Sequence, residues 1–256
     1  MIFFFLMRGR GISMEDIGLP MIPDFFIRGF GTASVVSILT IGLVTLGERI
    51  HFVRVGTGNF WEITRDIWFA NYDLSYLKLG LYPYLGWMAL GVAICFLHTI
   101  FNEFFFRGLL FMHYDREVYS FAKVNLIQAS LYTLWMVGTI VLSLALTGSA
   151  YPLELRIKII LLSLVGEFIT GLKLGILRRV TGSLWGPLTD FFIIHVFNTM
   201  WHVWNSETTQ LSRFERMVAI SIITLVFYAI VDFVKKRWVI AHNDQIIEEL
   251  IDEGEI

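Results

Sequence analysis

The chain has one cysteine, Cys95, in 256 residues, so no intrachain disulfide can brace it. Charge is scarce too. Asp, Glu, Lys and Arg make up 16% of the residues, against about 25% in an ordinary soluble domain. Twenty Lys+Arg against twenty-two Asp+Glu leave a formal charge of -2, which offers no polyanion-binding surface and argues against nucleic acid as a partner. There is no internal repeat and no low-complexity linker. Strand-type alternation is absent, which excludes a β-barrel. The apolar run Ile2 to Met7 is shorter than a signal-peptide core, and Arg8 and Arg10 follow it instead of preceding it. No cleaved leader is expected.

What fills the space is apolar: 56% of the residues are hydrophobic and 16% aromatic. Runs approaching the roughly 20 residues needed to cross a bilayer extend from about Gly29 to Gly47, Leu81 to Phe101, Phe121 to Leu146, Ile157 to Leu177, Leu184 to Trp204 and Val218 to Val234. The expected fold is all-α, a polytopic transmembrane bundle of six to eight helices. Phe104 to Met112 is too short to cross alone and is expected to prolong the second helix or lie half-embedded. The expected organisation is an amphipathic N-terminal segment at 1–24, a transmembrane domain at 25–237 and an acidic tail at 238–256. Six spans put both termini on one side, and twelve of the twenty Lys+Arg fall there. The positive-inside bias then predicts an integral protein with both ends cytoplasmic; the expected location is the plasma membrane of a prokaryote.

Ionisable and amide groups at membrane depth are expensive, so each is a site candidate. They are His98, Asn102, Glu103, Arg107, Glu167, Asp190, His195, Asn198 and His202. Helical spacing groups them: His98 lies over Asn102, Glu103 over Arg107, and His195, Asn198 and His202 form one stripe. The Glu103/Arg107 pair has two readings. Opposite charges at i,i+4 lower each other's embedding cost, or the carboxylate serves as a general base on water while the arginine holds it or a developing oxyanion. The stripe could bind zinc or iron together with Glu167 or Asp190, but it matches no trusted metal spacing and there is no HExxH. The expectation is no metal and no cofactor. Trp185, Trp201 and Trp204, near span ends, are expected to be interface anchors.

Four stretches resemble the CPBP family, the CAAX proteases and bacteriocin-processing enzymes that include the type II CAAX prenyl endopeptidases. RGRGISMEDIGL (Arg8 to Leu19) is similar to the family's amphipathic segment before the first span, and NEFFFRGLLF resembles its Glu-Glu-x-x-x-Arg motif. NLIQASLYTLWM (Asn125 to Met136) stands where the family has a helix ending in Phe-x-x-x-His. GLKLGILRRVTGSLWGPLTDFFIIHVFNTMWHV (Gly171 to Val203) resembles its glycine-rich helix, turn and final His-x-x-x-Asn helix. The resemblance implies a membrane bundle and intramembrane peptide hydrolysis by a glutamate-activated water.

Carried over position by position, the first glutamate, regarded as the general base, is Asn102 here, while Glu103 and Arg107 match the second glutamate and the arginine. The second-motif histidine falls near Trp135, and alignment on GSLWGP puts the family histidine at Phe191 and its asparagine at His195. An amide is not basic enough to take a proton from water, tryptophan donates but does not accept, and phenylalanine does neither. The resemblance therefore implies a catalytically degenerate member, binding a membrane peptide, a protein partner or a lipid-like ligand in the former protease cavity. Its partners would be membrane lipid, a transmembrane or lipidated peptide, or a larger membrane complex. A one-turn shift of the last helix, with His195 as the histidine, Asn198 as the asparagine and Glu103 as base, keeps an active endopeptidase open. A transporter or ion-handling subunit, with Glu167, Asp190 and the histidine stripe as proton-relay groups, is a third class.

Overall fold

A computed structural model of the chain describes residues 12–55, 62–63, 81–113, 119–146, 152–202 and 210–252. The apolar runs form helices because lipid offers the backbone no hydrogen-bond partner, so N–H and C=O groups must be satisfied within each segment. Helix α1 is Pro23–Val55 and α2 is Leu81–Asn102; α2 continues without a break through a π-helical turn, Glu103–Leu109, into α3, Leu110–His113. Then come α4 (Phe121–Leu146), α5 (Leu153–Thr181), α6 (Trp185–Met200) and α7 (Gln210–Asp252). With α2, the π turn and α3 taken as one rod, the described residues form six helical rods, a helical membrane bundle as the sequence predicts. Phe104 to Met112 does prolong the second helix.

Five of the six rods are long and apolar enough to cross a membrane: Pro23–Glu48, Met88–His113, Phe121–Leu146, Leu153–Thr181 and Phe214–Val239. The exception is α6. The apolar run from Leu184 predicts a helix to Trp204, but α6 stops at Met200 after 16 residues, about 24 Å of rise against a hydrocarbon core of about 30 Å. The chain turns there into a two-residue strand, β2 (Trp201–His202), paired antiparallel with β1 (Glu62–Ile63), which follows α1.

The ends of the rods are fixed by cross-links. Ser183 Oγ donates to the Phe25 carbonyl at 3.4 Å and Lys235 Nζ to the Val180 carbonyl at 2.7 Å. The start of α1, the end of α5 and the end of the apolar part of α7 thus meet at one end of the bundle. At the other end Arg216 Nε donates to Glu48 Oε1 at 2.6 Å, joining the far part of α1 to the first turns of α7.

Helix α5 is the hub, packed against α4 on one side and α7 on the other, while α6 packs on α1 and α2. Its closeness to α4 depends on glycine. A Cβ on Gly171 would lie 2.7 Å from Ala129 Cα, and one on Gly175 would overlap the Asn125 side chain. The absent side chains let α4 amides reach α5 backbone: Gln128 Nε2 donates to the Gly171 carbonyl at 2.7 Å and Asn125 Nδ2 to the Leu172 carbonyl at 3.1 Å. Small residues and interhelical amides are the usual means of joining helices in lipid, where burial of apolar area gives no drive.

The described part of the segment before α1 forms a strap under the α5–α6 turn; Arg8 to Gly11 lie outside the described residues. Asp16 Oδ2 accepts from the Ser13 N–H at 2.7 Å and from its hydroxyl at 2.8 Å. These bonds, the backbone one foremost, hold the Asp16 carboxyl below its ordinary value. The tight turn takes Gly18 to φ +90°, which favours glycine, and aims its carbonyl at the Leu184 N–H, 2.6 Å away. Ile17, fully buried, then packs with Phe104 and Leu184.

Candidate functional site

The π turn positions the motif. The Leu110 N–H donates to the Phe105 carbonyl, five residues back instead of four. That extra residue in the loop of the helix widens the turn and resets its phase, a feature common at functional positions. Glu103, Phe104, Phe106, Arg107 and Gly108 all become buried as a result. Arg107 Nη1 donates to Glu103 Oε1 at 2.9 Å, with both side chains fully buried. The guanidinium carbon lies 4.2 Å from the centre of the Tyr132 ring on α4, a desolvated cation–π contact. Glu103 Oε2 and Arg107 Nε and Nη2 make no hydrogen bond among the described residues.

Two further carboxylates surround this pair. Glu167, buried on α5, neighbours the Tyr132 hydroxyl and lies within electrostatic reach of Arg107 and Lys173. Asp190, buried on α6, ties together four helices. Its Oδ1 accepts from Ser37 on α1 at 2.8 Å and from Tyr228 on α7 at 2.6 Å, and its Oδ2 forms an ion pair with Lys173 of α5 at 2.9 Å. Lys173, Ser37 and Tyr228 were not singled out by the sequence. Lys173 had a usable signal, since an acid at membrane depth on one helix requires a cation on another.

The imidazoles meet elsewhere. His98 of α2 and His195 of α6 stack with ring centres 4.8 Å apart, although nothing in the spacing of either helix announces the pairing. Phe191 stacks on His195 at 5.5 Å and meets the Tyr132 ring edge-on at 6.3 Å. Phe191 also lies 5.8 Å from the His98 ring, so the path from the histidine pair to the arginine runs through Phe191 and then the Tyr132 phenol ring.

The remaining candidates divide. Asn102 is fully buried, but its Nδ2 donates to the His98 carbonyl of its own helix at 2.9 Å, and its Oδ1 makes no hydrogen bond among the described residues. Trp135 is 48% exposed on the outer face of α4, where its ring packs against Phe101 at 6.1 Å, so it is not brought to Glu103. Asn198 follows His195 on α6, but His202 leaves the helix with β2, so the expected stripe His195, Asn198, His202 is broken at Met200. No group of three or more His, Cys, Asp or Glu side chains able to hold a metal ion occurs among the described residues.

The family model described as type II CAAX prenyl endopeptidase Rce1-like matches residues 84–200. Over that stretch, 117 of the 256 residues, the chain resembles this family. The Rce1-like region runs from the second rod to the end of α6, so it contains the π turn, the Glu103/Arg107 pair, Glu167, Asp190 and His195, and it supports the CPBP resemblance. It leaves out Ser37 on α1 and Tyr228 on α7, which complete the shell of Asp190. No curated protein matches the chain, and no solved structure does.

Proposed function

We propose that this Rce1-like membrane protein is non-hydrolytic and acts by binding a membrane partner: a transmembrane or lipidated peptide, or a subunit of a larger membrane complex. The observation that carries this reading is the chain of contacts by which Phe191 and Tyr132 stand between His195 and Arg107, the ion-pair partner of Glu103. Hydrolysis by an activated water needs a base, an orienting group and an oxyanion donor converging on one reacting atom. Here the carboxylate is held by Arg107, the amide of Asn102 is turned back onto its own helix, and Trp135 faces outward. In this reading the Rce1-like scaffold is retained and its charged pair stabilises the π turn. The end of the bundle shared by the start of α1 and the end of the apolar part of α7 faces the cytoplasm.

The test combines two measurements on the full chain. Purification from native membranes followed by mass spectrometry should recover a reproducible membrane partner, and a prenylated or transmembrane reporter peptide incubated with the protein should remain intact. A chain that is always solitary would count against binding. Cleavage abolished by Glu103→Gln would establish an endopeptidase instead. One observation favours that second reading: Glu103 Oε2 is left without a hydrogen bond inside a π turn, where a substrate water would be bound.

A further inference from the structure

At the end of the bundle where α1 begins, the boundary ends of three helices carry cations far in excess of acids. Across residues 119–124 at the start of α4, 177–181 of α5 and 231–239 of α7 there are six cations, with Asp232 as the single carboxylate. One of the six, Arg178, turns inward, its Nη2 donating to the Ile17 carbonyl at 3.4 Å. The other five are Lys123, Arg179, Lys235, Lys236 and Arg237. Asp232 is shared between two of them: Arg179 binds it through Nε at 3.0 Å and Nη2 at 2.5 Å, and Lys236 reaches the same Oδ2 at 3.0 Å. Lys235 donates to the Val180 carbonyl near the end of α5, using one of its three N–H groups. Counting also Arg28 and the acids Glu15, Asp16 and Asp24 from the strap and the start of α1, cations still outnumber carboxylates at this rim, seven to four. The ion pairs seen at the far end are of the opposite kind, with Glu154 on Lys158 and Glu48 on Arg216, one acid for each base.

The cations also sit at a particular depth. Arg179 lies 3.9 Å over the Phe121 ring, Lys123 4.7 Å over Tyr119 and Arg237 5.4 Å over Phe233. Beside them Phe233, Val234 and Trp238 are exposed at the end of the apolar stretch that closes at Val239. Long basic side chains next to exposed rings at a span end lie where acyl chains give way to headgroups.

We infer that this rim seats the headgroup of an anionic phospholipid, its phosphate accepting from Lys235, Lys236 and Arg179 while its acyl chains run along Phe233, Val234 and Trp238. A zwitterionic lipid brings its own cation to the site and gains less from a positive rim. The assignment does not depend on what the Rce1-like core binds, since the five outward cations stand at the bundle end on α4, α5 and α7 and not on the π turn or at the histidine pair.

The full chain, purified in a neutral detergent and stripped of lipid, is titrated with phosphatidylglycerol or phosphatidylcholine, and retained lipid is counted by native mass spectrometry. Phosphatidylglycerol should bind more tightly. Because each cation near an anionic surface is worth about fivefold in binding, the double variant Lys235→Gln/Lys236→Gln should lower phosphatidylglycerol affinity by more than tenfold and leave phosphatidylcholine unchanged. Lys123→Gln, whose ammonium lies over the Tyr119 ring, should give about fivefold and covers the case in which the double variant does not fold. Equal binding of the two lipids by the unaltered chain overturns the inference. So does an equal loss in Arg156→Gln/Lys158→Gln at the far end, or complete displacement by inorganic phosphate, which would assign the rim to a soluble anion.

Discussion

Replacing Lys173 by methionine removes the ammonium that stands 2.9 Å from Asp190 Oδ2 and leaves a fully buried carboxylate with only two neutral donors, Ser37 and Tyr228. Breaking a buried ion pair on one side costs about 3–5 kcal/mol, most of it the penalty of the uncompensated charge. Asp190→Asn strands the cation instead and should cost a similar amount. An asparagine Oδ1 still accepts from Ser37 and Tyr228, so the double variant Lys173→Met/Asp190→Asn restores neutrality and keeps two of the three contacts. It should be more stable than either single variant, with a coupling of at least about 2 kcal/mol in the double-mutant cycle. Tyr228→Phe removes one hydrogen bond to a charged acceptor and should cost about 1.5–3 kcal/mol. Reversible denaturation of the purified full chain in mixed micelles, followed by tryptophan fluorescence, measures all four. Additive losses in the double variant, or a Lys173→Met variant as stable as the unaltered chain, would refute the view that Lys173 and Asp190 form a stabilising ion pair at the junction of four helices.

Gly171→Ala puts a Cβ within 2.7 Å of Ala129 Cα and must separate α4 from α5, so it should lower stability by about 1–3 kcal/mol in the same micelle assay, whereas Gly31→Ala, which meets nothing within 4 Å, should be neutral or slightly stabilising. The strap is expected to loosen in acid. The folded Asp16 carboxyl is held below its unfolded value, so its bonds to Ser13 are complete above the unfolded value and are lost as pH falls through the depressed folded one. Amide exchange at residues 13–19, compared at neutral and strongly acidic pH, should show that loss in the unaltered chain. In Asp16→Asn the difference should vanish.

Much of the bundle was legible because a bilayer enforces it: an apolar run of sufficient length has no alternative to a helix, and five such runs appear where the sequence puts them. The sixth was overestimated. Hydropathy runs on through Trp201 and Trp204, but nothing in residue type marks the point after Met200 where backbone pairing with Glu62–Ile63 takes the chain out of the helix. The Glu103/Arg107 contact was legible as an i,i+4 pair, since both partners lie on one rod. The π turn around it was not, because one extra residue in a turn leaves no compositional trace while it rotates everything beyond it. Asp190 was conspicuous as a lone acid, yet its partners come from three other helices, and contacts between helices cannot be read from spacing along one. For the same reason Trp135 was placed near the site by motif order although its side chain points outward.

The seam between α4 and α5 bears on how the protein enters the membrane. Asn125 and Gln128 on α4 find their carbonyl partners only when α5 is present, and α4 alone would expose these amides to hydrocarbon. The link between Leu146 and Leu153 is short, so each helix has its partner at hand almost as soon as it is synthesised. The pair is therefore expected to leave the insertion machinery together as a hairpin, so that the glycine face of α5 closes on α4 before the amides meet lipid.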